Sequence, residues 1–345
     1  MALLLSWVFL INLGNEWRIH VTIMSKHVLH HRQKTNHILM KKKKDKLIRF
    51  ISISESHKAF GLPKPQHPLI SLIHFNKNNP FNTEMAPIYD LLNFYKITFI
   101  TQNSGKLKYG QDYYDFNEGS MLFLAPNQLV GTTEYNKNTY AYLLLIHPDF
   151  LLGYPLAKKI KEYGYFSYSV NEALHLSDNE KQTILSVCQI IEQELNNRVD
   201  EFSQEVMIAQ IELLLSYVNR FYKRQFITRK VVNDGILQKI ETILDDYFNS
   251  EKPLHQGIPT VQFIAEKLYI SPGYLSDLLR SLIGQNGQQY IHKKLIEKAK
   301  EKLSTTQSTV SEIAYELGFE HSQSFSKLFK TKTNLSPLEF RASFN

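Results

Sequence analysis

Thr260-Val261-Gln262-Phe263-Ile264-Ala265-Glu266-Lys267-Leu268 recurs as Thr309-Val310-Ser311-Glu312-Ile313-Ala314-Tyr315-Glu316-Leu317. The first, second, fifth, sixth and ninth positions are identical. A second echo follows: Leu275-Ser276-Asp277-Leu278-Leu279-Arg280 answers to Phe325-Ser326-Lys327-Leu328-Phe329-Lys330. Each half reads as a short helix, a tight turn and a second helix. Thr260 and Thr309 are placed to cap the first helices, and Thr309 with Glu312 has the form of a capping box. Ile264-Ala265 and Ile313-Ala314 pair one bulky residue with one small one, which lets two helices cross closely. Gly318 stands where the turn needs a positive φ, and its counterpart Tyr269 suits that geometry poorly. Ser271-Pro272 supplies a cap and an N1 proline for the next helix.

This is a helix-turn-helix layout, twice over. On the second helix of the first half, Leu275, Leu278, Leu279 and Leu282 face inward, leaving Gly273, Ser276, Asp277 and Arg280 outside. In the second half Phe325, Leu328 and Phe329 face inward, leaving Ser322, Gln323, Ser326, Lys327 and Lys330 outside. Residues 288–304 between the halves read as one helix with Ile291, Leu295, Ala299 and Leu303 in line. Its length, roughly 25 Å, would let a strut hold two reading helices about one turn of duplex DNA apart.

Charge fits that placement. Of 345 residues with net charge +7, residues 251–345 carry 12 Lys and Arg against 9 acids, while residues 51–250 carry 18 against 22. A polyanion-binding surface is therefore expected at the C-terminal end. The single cysteine, Cys188, excludes an internal disulfide framework and any multi-cysteine metal site, and it fits a reducing cytoplasm. No apolar run reaches the length of a membrane span.

Upstream, residues 69–75, 94–101, 120–124 and 139–147 read as strands separated by Gly, Asn and Pro turns. Their spacing suggests a small barrel or sandwich, with an apolar and aromatic pocket and no catalytic metal. His74 and His147 stand alone and far apart, unlike the clustered ligands of a metal site. After Gly164 the period becomes helical. Ser177 and Glu180 have capping-box form, and Ile184, Val187, Cys188, Ile191 and Leu195 follow at helical spacing, with Cys188 expected in the core. A second helix over residues 202–224 is apolar on more than one face. A homodimer seam on it, with Val206, Ile211, Leu214 and Val218 as contacts, is expected beside full burial in one chain. Residues 1–45, apolar at first, then His-rich and ending in Lys41–Lys44, are expected to be a disordered extension, with translation beginning at Met24 or Met40. A basic arm on nucleic acid is the other reading of the lysine run.

Residues 237–341 resemble the DNA-binding domain of the AraC/XylS family of bacterial transcription regulators. The resemblance lies in Ser271-Pro272-Gly273-Tyr274-Leu275-Ser276, residues 311–319, residues 325–330 and the closing Ser336-Pro337-Leu338-Glu339-Phe340-Arg341. Tyr269 and Asn334 depart from it, each standing where Gly is usual. Residues 119–126 are similar to part of the family's cupin-like sensor domain. The resemblance implies an α+β chain of two domains. Residues 46–175 would be a cupin-like sensor, 176–228 a helical pair that dimerises, and 229–345 the double helix-turn-helix domain. It implies promoter DNA as partner, with a homodimer, RNA polymerase and a small-molecule effector in prospect, and no cofactor. It places the reading positions at Gly273, Tyr274, Ser276, Asp277 and Arg280 and at His321, Ser322, Gln323, Ser326 and Lys327, with Lys330 on phosphate. An enzyme is not expected, for no nucleophile constellation or phosphate-cradling loop is present. A non-specific architectural DNA binder, or a cupin-type enzyme fused to a DNA reader, are the rival readings.

Overall fold

The computed structural model describes residues 5–13, 16–24, 47–79, 89–102, 107–109, 112–114, 119–131, 133–134, 140–169, 172–198, 200–228 and 230–344. Residues 1–44 and 45–345 form two separate units. The first holds a two-stranded antiparallel hairpin, Leu5–Leu13 against Glu16–Met24. The rest of the expected N-terminal extension, with Met40 and Lys41–Lys44, lies outside the described residues. Val8, Phe9 and Ile11 face a partner strand that carries Ile19, Val21 and Ile23, and such β-branched and aromatic residues favour extended backbone.

The second unit opens with a strand at Leu47–Phe50 and a helix at Ile53–Ala59, followed by a five-stranded sheet of which the strand pattern predicted four members. Its members are β1 (Ile70–Phe75), β2 (Tyr95–Gln102), β3 (Ser120–Leu124), β4 (Tyr140–Ile146) and β5 (Leu174–His175). They pair antiparallel in the order β5-β3-β2-β4-β1. Alternation serves two cores. Tyr142, Leu144 and Ile146 point to one that continues into the helices, while Leu145, Ile73 and Phe75 point to another with Phe50, Ile53, Leu92 and Phe94. Two three-stranded sheets accompany it. Among the described residues all three sheets are open, and no closed barrel is formed.

Helix α1 (Asp178–Asn196) starts where Glu180 accepts from the Ser177 N–H at 2.8 Å. Helix α2 (Ser203–Thr228) packs back against it. Cys188 is buried, as expected, and burial pushes its thiol up to about 12. The expected dimer seam needs correction. Ile211, Leu214 and Val218 are fully buried within the one chain, filling the core that runs from the sheet through α1. Of the four residues only Val206 is exposed, at 40%. A polar-edged cleft lies elsewhere on this unit. It has a volume of about 310 Å³ beside β1 and α1, and polar groups of His57, Lys64, Gln66, His74, Glu192 and Asn196 line it. The aromatic side chains Tyr95, Phe99, Phe123 and Tyr142 are consumed by the core. His74 stacks on Tyr142 at 4.1 Å, and His147 accepts from the Asp149 N–H at 3.3 Å, so both histidines have structural work.

The C-terminal part is all helical: α3 (Lys230–Phe248), α4 (Val261–Leu268), α5 (Pro272–Ile283), α6 (Gly287–Thr305), α7 (Val310–Glu316), α8 (Ser322–Thr333) and α9 (Pro337–Ala342), with a short turn of helix at Lys252–Gln256. Ile264, Ala265, Leu275, Leu279, Ile291, Leu295, Ala299, Ile313, Ala314, Phe325 and Phe329 share one core. Among the described residues no helix is long and apolar enough to cross a membrane.

A candidate DNA interface

Both helix-turn-helix units are built as their sequences dictate. Thr260 Oγ1 accepts from the Phe263 N–H at 3.1 Å, and the Ser271 hydroxyl from the Tyr274 N–H at 3.2 Å. In the second unit Thr309 and Glu312 cap each other reciprocally, at 2.6 and 3.2 Å. Helix α6, about 28 Å long, links the two. The turns differ in their residue and agree in their geometry. Gly318 has φ +90°, and a Cβ there would stand 2.5 Å from the backbone of Gly257. Tyr269 takes the left-handed region too, φ 58° and ψ 38°, with its ring 66% exposed. Asn334 closes α8 at φ 63°.

The two reading helices are presented differently. On α8, His321, Gln323, Lys327 and Lys330 are exposed, with Ser322 and Ser326 half-buried. That face is open and basic, as a groove-reading helix requires. Of the reading positions on α5 only Arg280 is exposed. Ser276 turns inward; a Cβ at Gly287 on α6 would lie 3.2 Å from its hydroxyl. Tyr274, expected outside, is 8% exposed, edge-on to Tyr168 and Phe226 with ring centroids at 5.3 and 5.1 Å. Asp277 pairs with Arg280 and accepts from the Tyr168 hydroxyl at 2.6 Å. Gly273 comes so close to residues 164–168 that a Cβ would stand 2.7 Å from the Ser167 hydroxyl.

Glu172, which the sequence reading passed over, completes this contact. It is 5% exposed, and its carboxylate accepts from the Ser271 N–H at 2.6 Å, the Ser271 hydroxyl at 2.5 Å and the Ser169 N–H at 2.7 Å. Burial pushes its carboxyl above the ordinary range, and the hydrogen bonds from Ser271 and Ser169 oppose that rise. Burial, with Asp277 close by, likewise raises the Tyr168 phenol, which keeps it a donor. One signal for the segment was available: Tyr163, Tyr165, Phe166 and Tyr168 put four aromatics into six residues, too many for an exposed loop.

A family model described as a helix-turn-helix domain matches residues 264–343. An uncharacterized HTH-type transcriptional regulator of Bacillus subtilis, YfiF, is 23% identical over 257 residues, 73% of this chain and 77% of the relative. An uncharacterized HTH-type transcriptional regulator of Staphylococcus aureus (strain MSSA476) is 20% identical over 261 residues; the match covers 75% of this chain but 33% of that protein. The solved C-terminal domain of the two-component response regulator yesN from Fusobacterium nucleatum is 33% identical, covering 30% of this chain and 93% of that one, with a TM-score of 0.26. Paired helix-turn-helix units on one strut and a matching family model define the class of protein as helix-turn-helix. Within that class, residues 264–343 form a C-terminal domain of AraC type.

Proposed function

We propose that the chain is a sequence-specific transcription regulator that binds promoter DNA through two helices about one duplex turn apart, and that it is not an enzyme. The exposed α8 face carries this reading: Gln323 is a side chain suited to adenine, between Lys327, Lys330 and His321, which suit phosphates and base edges. Residues 46–175 serve as its sensor domain, cupin-like in kind, and the polar cleft beside β1 suits a small hydrophilic effector. A homodimer would form on exposed positions of the helical pair rather than on those named from the sequence. Val206 and Leu213, seven residues apart on one stripe of α2, are 40% and 42% exposed, and Ile190 on α1 is exposed as well. RNA polymerase is the partner through which bound chain would act, in the cytoplasm.

The test is selection of duplexes from a random library by the full chain, with genome-wide mapping of bound fragments and transcript levels in a deletion strain. One recovered motif with two half-elements about 10 base pairs apart is expected. Uniform occupancy without sequence preference would instead make the chain an architectural binder, and turnover of a substrate by the N-terminal domain would make it an enzyme.

A further inference from the structure

The first reading helix is docked, and the docking is chemically specific. Helix-turn-helix proteins read bases with the N-terminal residues of the second helix, and the free N–H groups at a helix start attract phosphate. At the start of α5 that position is taken: the Glu172 carboxylate accepts from the N-cap Ser271 through both its N–H and its hydroxyl. One turn on, Tyr168 holds Asp277, and Tyr274 is buried between Tyr168 and Phe226. These partners, Tyr168 and Glu172 from the segment before β5 and Phe226 from α2, all lie outside the DNA-binding domain. Residues 45–345 are one compact unit, so these contacts join the two domains directly.

We infer that this is a masked state of the reader, in which the N-terminal domain covers the first reading helix and Glu172 stands on its N-cap in place of a DNA phosphate. The inference rests on the DNA-binding reading above. A carboxylate and a phosphate cannot share the Ser271 donors, and a base edge cannot reach Gly273, Tyr274 or Asp277 through the aromatic cluster. Helix α8 stays open, so the masked chain grips DNA with one helix, and the second grip requires residues 164–172 to leave. The departing carboxylate regains water, and Ser271 exchanges one anion for another, so both states satisfy their polar groups.

Two full-length variants test this on a duplex selected by the Glu172→Ala chain from a random library. Glu172→Ala should bind that duplex about tenfold or more tightly than wild type, the factor by which a mostly closed population weakens binding. Ser167→Cys with Gly273→Cys should form a disulfide on oxidation, since the two sites are in contact and Cys188 is buried. Oxidised, this chain should lose affinity by about tenfold or more relative to its reduced form, and reductant should restore it. Failure of the disulfide to form, or equal affinity of the oxidised and reduced chains, would overturn the masked state. If no form of the chain, reduced or Glu172→Ala, recovers any duplex, the DNA-binding reading itself falls.

Discussion

Tyr269 sits in left-handed backbone that an L side chain enters at a cost of about 1–2 kcal/mol, and its exposed ring recovers little of that. Tyr269→Gly should therefore raise stability by about 0.5–1 kcal/mol, read as an upward shift of the urea midpoint at unchanged slope. Gly318→Ala goes the other way, because the new methyl meets the Gly257 backbone at φ +90°; a loss of about 2 kcal/mol or more is expected from the same measurement. His57 offers a titration. Its Nδ1 lies 2.6 Å from the Pro63 carbonyl, which can only accept, so that nitrogen carries the proton and Nε2 accepts from Ser71 at 3.0 Å. Burial holds the imidazole below its ordinary value, with the Pro63 bond opposing. The unfolded chain takes up a proton near pH 6.5 and the folded chain only at lower pH, so stability is intact above about 6.5 and falls as pH drops below it. A thermal midpoint followed from about pH 7.5 to about 5.5 should fall, and His57→Asn should remove part of the fall. His67 and His292, lowered by the same cause, supply more of it.

Helix α2 shows how far an element can be read from its letters. Its existence and its apolar surplus are plain in residues 202–224, yet hydrophobicity does not say which apolar stripe meets the chain's own core and which meets a second copy. The distinction is sharp in effect. Leu213→Glu, on the exposed stripe, should yield folded monomers in sedimentation at micromolar concentration. Leu214→Glu, one residue on and 1% exposed, should unfold the N-terminal domain, at a cost above about 4 kcal/mol. The four strands named from the sequence were legible to within a residue or two because alternation and turns marked both ends, whereas shorter strands such as Leu47–Phe50 and Tyr89–Leu92 carried too few residues to show a period. That the sheets stay open among the described residues was not legible, since no residue pattern states which edges meet. On α8 legibility was nearly complete: the outward positions His321, Gln323, Lys327 and Lys330 are all exposed. Gln323→Ala should relax preference at one base pair for about 1–3 kcal/mol, whereas Lys330→Ala should weaken all sequences alike and lower the salt slope by about one. Binding to a mutated-site library at several salt concentrations separates the two.

At the scale of the whole molecule, what the sequence could not disclose was contact between distant segments. Glu172 and Ser271 are 99 positions apart, and nothing local to either marks the other. The duplication makes α5 and α8 look equivalent, yet Tyr274 and Leu278 belong to the same hydrophobic core as the sheet and the helical pair, whereas Phe325 and Phe329 belong to that of the C-terminal domain. That shared core has a calorimetric consequence. Exposing Tyr274, Tyr168 and Phe226 to water raises heat capacity, while forming a dry protein–DNA contact lowers it. DNA binding by the wild-type chain, measured by titration over a range of temperatures, should thus show a less negative heat-capacity change than binding by Glu172→Ala, because part of the wild-type signal is spent on hydrating rings that the variant has already released.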